Sequence, residues 1–296
     1  MSARLLEGRA LAREIESRVA EEVRSLREAG CVPCLSVVVA GSDPASAVYV
    51  AGKEKACRRV GLSSRPVPLP ASVSQEDLTS AIRRLNQDSE VSGILVQLPL
   101  PAGLDPLAAA CEIDPAKDVD GLAPENVGRL LLGRPYTVPC TPAGIFELLD
   151  RSSISVDGMN VTILGRSNIV GKPLAAMLMQ KAGNRNATVT VCHSGTRDIA
   201  QFTRTADLVV TAMGSPRFLK AEMVKAGAVV VDVGISRIPD PRSEKGYSLV
   251  GDADFESLVE KVGCITPVPG GVGPLTVAML LANTVKVARA LRCSRE

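Results

Sequence analysis

Tyr49 and Lys53 stand four residues apart in Tyr49-Val50-Ala51-Gly52-Lys53-Glu54-Lys55-Ala56, so on a helix a phenol and an amine share one face. The bland alternative is an amphipathic helix with a solvated lysine, the usual fate of that residue. The chain has 3 tyrosines and a single histidine, His193. A two-histidine metal helix is therefore excluded, and a Ser-His-Asp triad would have to use this one imidazole. Acid–base work falls to Lys, Tyr, Asp, Glu or Cys. Gln97 ends the apolar run Gly93–Val96, where open α/β sheets hold their ligands. Asp118-Val119-Asp120-Gly121 adds two loop carboxylates, without the further ligands of a calcium loop. No Cys, His and carboxylate cluster has ligand spacing, so the chemistry is expected to need no metal.

A second constellation points to a nucleotide. The apolar strand Val161-Thr162-Ile163-Leu164 runs into Gly165-Arg166-Ser167-Asn168-Ile169-Val170-Gly171-Lys172-Pro173 and then a helix over 174–181. A tight strand-to-helix turn aims backbone N–H groups at a pyrophosphate. Gly165 permits the turn and Gly171 close helix packing, although the spacing is not G-x-G-x-x-G. An ordinary β-α turn with a capping serine is the competing reading. The next strand, 187–192, ends in His193-Ser194-Gly195-Thr196, with no carboxylate to bind a ribose 2′-hydroxyl. Arg166 and Ser194 instead suit a 2′-phosphate, with Arg197 or Arg185 assisting, and this points to NADP. Finally, Thr266-Pro267-Val268-Pro269-Gly270-Gly271-Val272-Gly273-Pro274 is too rich in Gly and Pro for regular structure. It predicts a rigid loop that lets backbone approach a ligand.

The elements that must position these residues alternate. An amphipathic helix carries Leu11, Ile15, Val19, Val23 and Leu26 on one face and stops at Gly30. Strands are expected up to Ala40, over 66–69 and over 92–97, with helices over 44–60 and 75–86, the latter capped by Ser74. The second half repeats the alternation with strands at 160–164, 187–192, 207–211, 228–233 and 263–266 and a last helix over 275–291. This is the pattern of parallel sheets covered by helices. A boundary helix over 141–150 opens at Thr141-Pro142. The expected domains are 1–145 completed by 276–296, and 146–275.

Composition sets the outer limits. At 296 residues, 46% hydrophobic and 22% charged, the chain has material for two cores and is not a disordered one. A formal net charge of +2 without a basic block argues against nucleic acid as partner. No apolar run is expected to reach the ~20 residues of a membrane span. Leu5-Leu6 followed by Glu7-Gly8-Arg9 does not resemble a secretory signal, and the 8 cysteines are widely spread, as reduced thiols are. A cytoplasmic protein is the expectation. Cys31 and Cys34 form a lone C-x-x-C, read as buried structural thiols rather than a zinc or redox pair.

Taken together, the segment from Tyr49 to Ala56, Gly93 to Pro101 (G-I-L-V-Q-L-P-L-P), Pro115 to Gly121, Pro139-Cys140-Thr141-Pro142, Gly165 to Pro173 and Pro267 to Thr276 resemble the methylenetetrahydrofolate dehydrogenase/cyclohydrolase family. The six motifs run in order through nearly the whole chain. One departure is Leu275, where the family's pattern has methionine, a volume-conserving change. The resemblance implies an N-terminal α/β domain with a parallel sheet, a Rossmann-like NADP-binding domain and a cleft between them. It implies oxidation of a folate-bound methylene group with NADP, hydrolysis of the methenyl product, a homodimer, and a contribution to purine biosynthesis. Lys53 then looks like the general acid/base with Gln97 bonded to it, Tyr49 like the residue stacked on folate, and Asp120 like the anchor of the pterin. Leu98, Pro99, Pro269, Gly270, Gly271 and Gly273 look like the rest of the substrate lining. Gly165, Arg166, Ser167, Val170, Ser194, Ile235 and Thr276 look like cofactor contacts. Two rivals remain: a Rossmann oxidoreductase acting on a small hydroxy or amino acid, which gives the Tyr49, Lys53, Gln97 and Asp120 set no task, and a non-catalytic folate- or nucleotide-binding regulator.

Overall fold

The computed structural model describes residues 2–41, 44–181, 183–243 and 246–293. In chain order the first half holds β1 (Arg4–Leu5), α1 (Gly8–Glu28), β2 (Cys34–Ala40), α2 (Pro44–Val60), β3 (Ser63–Leu69), α3 (Gln75–Gln87), β4 (Gly93–Val96), α4 (Pro106–Glu112) and α5 (Pro124–Leu131). After α6 (Cys140–Arg151) come β5 (Asn160–Leu164), α7 (Gly171–Leu178), β6 (Thr188–Cys192), α8 (Ile199–Thr203), β7 (Leu208–Thr211) and β8 (Val229–Asp232). The chain closes with β9 (Ser236–Pro239), β10 (Tyr247–Val250), α9 (Phe255–Leu258), β11 (Cys264–Ile265) and α10 (Val272–Cys293). Two compact units result, one of residues 1–12 and 141–276, the other of 13–140 and 277–296.

In the unit of residues 13–140 and 277–296, β2 lies between β3 and β4 in a parallel three-stranded sheet. Strand β2 reads Cys-Leu-Ser-Val-Val-Val-Ala and is buried almost throughout, as a central parallel strand covered on both faces must be. Helix α3 turns Leu78, Ala81, Ile82 and Leu85 onto that core, the spacing of one helix face. Burying each Leu or Ile there contributes roughly 1.5–3 kcal/mol. Ser74 caps the helix by accepting from the Asp77 N–H at 3.0 Å. At the other end, buried Lys117 donates to the carbonyls of Leu85, Asn86 and Asp88 at 3.0, 2.8 and 2.7 Å. An ammonium so placed satisfies orphan carbonyls at the negative end of the helix dipole.

In the other unit six strands run parallel in the order β1-β11-β8-β7-β5-β6. The chain leaves β5 for β6 on one side and returns to β7 on the other. This reversal makes β5 the switch point of a doubly wound sheet, outside whose carboxyl end such folds bind ligands. Strands β7 and β8 are wholly buried.

Several expectations are corrected. Residues 1–12 join the second-half unit because Arg4 and Leu5 pair with Cys264 and Ile265; a strand of two residues has no period to read. The antiparallel pair β9–β10 was not among the expected strands, since Pro239 and charged residues break its alternation. Helix α6 begins at Cys140, one residue ahead of the expected cap, so Thr141 and Pro142 lie in its first turn. Helix α10 begins at Val272, inside the loop expected to be irregular to Pro274. By length and composition α10 is also apolar enough to cross a membrane, against the expectation that no run comes near that length. Half of its most apolar stretch is buried inside the protein, as in the core helix of a soluble fold.

Candidate active site

On α2, Tyr49 is 49% exposed and Lys53, one turn on, is half-buried. The Lys53 Nζ donates to Gln97 Oε1 at 2.8 Å. Gln97, 9% exposed just past β4, donates its own Nε2 to the Leu98 carbonyl at 2.5 Å, which turns its oxygen toward the lysine. The Leu98–Pro99 peptide that follows is cis. Asp120 is brought to the same place by its loop. The Ile94 N–H of β4 donates to the Lys117 carbonyl at 2.8 Å, and the fully buried Asp118 carboxylate accepts from Asp120 N–H, Ala123 N–H and Asn126 Nδ2 at 3.2, 2.8 and 2.9 Å. Asp118 is thus spent on folding the loop that presents Asp120.

Electrostatics bind the set together. Burial pulls the Lys53 ammonium below the ordinary lysine range, opposed by the Asp120 carboxylate and by Cys140 and Cys57. Burial raises Asp120, opposed by hydrogen bonds from Cys140 and by the Lys53 charge. The Cys140 thiol, fully enclosed and beside Asp120, is pushed well above its usual value and stays protonated. Burial thus shifts Lys53 toward its neutral amine, the direction that proton exchange by a lysine requires.

In the other unit, the β5–α7 turn is built from close approaches. Gly165 has φ +121, and a Cβ there would lie 2.2 Å from the Ala212 carbonyl oxygen. A Cβ on Gly171 would lie 2.1 Å from the Gly165 carbonyl oxygen. Ser167 Oγ accepts from the Val170 N–H at 3.2 Å, and no side chain caps the start of α7 at Val170. Arg166, Ser167 and Ser194 are exposed beside this turn and at the end of β6, as is Ile235 beyond β8. Thr276 Oγ1 meets Thr141 Oγ1 at 2.9 Å. The glycine-proline loop also belongs here: Gly270 accepts from the Gly8 N–H at 2.9 Å, Gly271 N–H donates to the Pro267 carbonyl at 2.8 Å, and Val268–Pro269 is cis. Pro269 and Gly273 are exposed in it, whereas Gly270 and Gly271 are buried. Beneath lie Asp232, raised to about 6 by burial, and fully buried Asp252, whose Oδ2 accepts from the Met213 and Gly214 N–H groups at 2.6 and 2.9 Å.

Lys53, Gln97 and Asp120 therefore converge, with Tyr49 on the helix of Lys53, while Gly165, Arg166, Ser167 and Val170 lie in the turn after β5 and Ser194 just past β6. Two residues outside the expected set lie next to this cluster: Cys140, which shifts Asp120, and Asn283, which bonds the Val119 carbonyl beside it. Cys140 was visible in a motif without a role. Asn283 had only one signal, an amide within a largely apolar stretch of helix.

A doubly wound sheet with a glycine turn at its switch point, joined in one chain to a unit holding a desolvated lysine and carboxylate, defines a nucleotide-dependent enzyme with its own acid/base group. Residues 6–120 match the catalytic domain of the tetrahydrofolate dehydrogenase/cyclohydrolases, and residues 139–292 match their NAD(P)-binding domain. The chain is 50% identical over 288 residues to the bifunctional protein FolD of Chlorobium phaeobacteroides, covering 96% of this chain and 98% of that one. It also superposes on the solved FolD of Campylobacter jejuni with a TM-score of 0.91, at 45% identity over 98% of this chain and 99% of the other. A methylenetetrahydrofolate dehydrogenase-cyclohydrolase of Trypanosoma brucei, solved with NADP and an inhibitor, superposes at 0.93 with 43% identity and full coverage of both chains. The chain belongs to the tetrahydrofolate dehydrogenase/cyclohydrolase family.

Proposed function

We propose that the protein oxidises 5,10-methylenetetrahydrofolate to 5,10-methenyltetrahydrofolate with NADP and then hydrolyses the product to 10-formyltetrahydrofolate. The observation that carries the reading is the Lys53–Gln97–Asp120 cluster, which sets a desolvated amine beside a carboxylate. Tyr49 stacks on the folate and Asp120 anchors the pterin, with Leu98 and Pro99 lining the same unit's share of the substrate site. NADP, when bound, accepts the hydride from the methylene carbon. The residues of this chain hold and orient: the Gly165–Gly171 turn admits the pyrophosphate close to the N-terminus of α7, with Ser167, Val170, Ile235 and Thr276 around the dinucleotide. Loss of hydride leaves a cationic methenyl group. Water adds to its carbon, the bond from that carbon to N5 breaks, Lys53 carries one proton of the attacking water to N5, and the second proton leaves to solvent as the formyl C=O forms. Positioning and one proton shuttle suffice for both steps.

The choice of NADP rests on Arg166 and Ser194, with no carboxylate at the end of β6. Wild-type enzyme is expected to favour NADP over NAD in kcat/KM, and Arg166→Ala to lose most of that preference. Equal values in the wild type, or an unchanged ratio in the variant, would count against it. Exhaustive dialysis against a chelator is expected to leave both activities intact. A loss restored by zinc or magnesium would redirect attention to Cys31 and Cys34, or to Asp118 and Asp120. We further read the protein as a cytoplasmic homodimer that binds neither nucleic acid nor membrane and supplies one-carbon units for purine biosynthesis. Sedimentation equilibrium at assay concentrations tests the dimer, and a single monomeric species would contradict it.

A further inference from the structure

We propose that Asn283 and Cys140 form a clamp that holds the Asp120 carboxylate in its working orientation, which makes both of them positioning residues for folate. The proposal rests on the reading of Asp120 as the pterin anchor. Asn283 lies on α10, 6% exposed, on a helix whose neighbouring positions Leu280, Leu281, Val285 and Val287 pack as an apolar core. An amide there is costly unless its N–H groups are satisfied. Both are spent on backbone that frames Asp120: Nδ2 donates to the Val119 carbonyl at 2.9 Å and to the Val138 carbonyl at 2.8 Å. Val119 directly precedes Asp120, and Val138 lies two residues before Cys140. One side chain thus ties together the two loop segments that carry the carboxylate and the thiol.

Cys140 completes the arrangement. It is 2% exposed, its Sγ lies 3.5 Å from the Val119 carbonyl oxygen, and the Asn283 amide approaches that sulfur at 3.7 Å. Cys140 and the Asp120 carboxylate lie close enough to shift each other's proton affinity, Cys140 holding Asp120 down and Asp120 pushing the thiol up. The enclosed thiol keeps its proton and donates it to the carbonyl of the residue that directly precedes Asp120. Asp118 holds the backbone of Asp120 from the other side, accepting its N–H at 3.2 Å. An apolar residue at position 283 would fill the space equally well, so the amide is there for what it bonds.

The test compares Asn283→Leu, Cys140→Ala and Cys140→Ser with Asp120→Asn and the double variant Asp120→Asn/Asn283→Leu. Asn283→Leu and Cys140→Ala are each expected to raise the folate KM about tenfold, the scale of one lost buried hydrogen bond. The KM for NADP should stay within twofold, a split that general loss of folded protein does not produce. Cys140→Ser keeps a donor and should recover most of the deficit. On the Asp120→Asn background, Asn283→Leu should add less than twofold, because its effect passes through the carboxylate. A raised folate KM in Asp120→Asn with unchanged values in Asn283→Leu and Cys140→Ala overturns the clamp alone. An unchanged Asp120→Asn overturns the anchor reading and the clamp with it. Should Asn283→Leu fail to fold, the Cys140→Ala and Cys140→Ser pair decides, and equal folate KM values for those two overturn the proposal.

Discussion

Replacing Lys53 by methionine is expected to lower hydrolysis of methenyltetrahydrofolate by about 10²–10⁴, the usual contribution of a positioned acid or base. Methionine keeps the unbranched apolar stem and removes only the amine, so folding and NADP affinity should survive. Gln97, whose oxygen accepts from the lysine at 2.8 Å, cannot titrate and cannot take over. The same lysine should govern a limb of the pH–rate profile. Burial holds its proton affinity down while the Asp120 anion holds it up. Removing that anion in Asp120→Asn favours the neutral amine, so the Lys53 limb should move to lower pH. Stopped-flow hydrolysis across a pH series reads both effects. Near wild-type hydrolysis by Lys53→Met would make the lysine a solvated helix residue, and a limb that moves upward in Asp120→Asn would reverse the assigned coupling.

The second large effect belongs to the nucleotide turn. Gly165→Val places a branched side chain where even a Cβ would lie 2.2 Å from the Ala212 carbonyl oxygen, at a φ of +121. Backbone on both sides must give way, and the β5–α7 turn moves off its position. A displacement of about 1 Å at a positioning element costs on the order of 10²-fold. Dehydrogenase kcat/KM for NADP should fall by about that factor or more. Hydrolysis of added methenyltetrahydrofolate should hold within severalfold, because Lys53, Gln97 and Asp120 lie in the other unit. Circular dichroism establishes that the variant folds. A parallel fall of both rates in folded protein, or an intact dehydrogenase, would contradict this division of labour.

What could be read from the residues followed the strength of local pattern. The face Leu11, Ile15, Val19, Val23 and Leu26 is buried as its spacing requires, and β2, α2 and β5 end where glycine or a change of period marks them. Strand β1 was invisible because two residues acquire their structure only from β11. The pairing of Lys53 with Gln97 was implied by the family resemblance, not by the local pattern, and the two side chains lie 2.8 Å apart. The parts that escaped are long-range and buried: Lys117 closing α3, Asp118 folding its own loop, Asn283 reaching back 164 residues to Val119. A polar residue in an apolar run shows that a partner exists, and only the fold shows which.

The central claim, one chain that oxidises and then hydrolyses a folate-bound one-carbon unit, is tested most directly by following absorbance after mixing purified protein with methylenetetrahydrofolate and NADP. Signal for NADPH should grow only when protein, folate and NADP are all present, and methenyltetrahydrofolate supplied alone should decay faster with protein than without. Growth of NADPH with no acceleration of methenyl decay would leave a dehydrogenase only, and no growth of NADPH would contradict the account altogether.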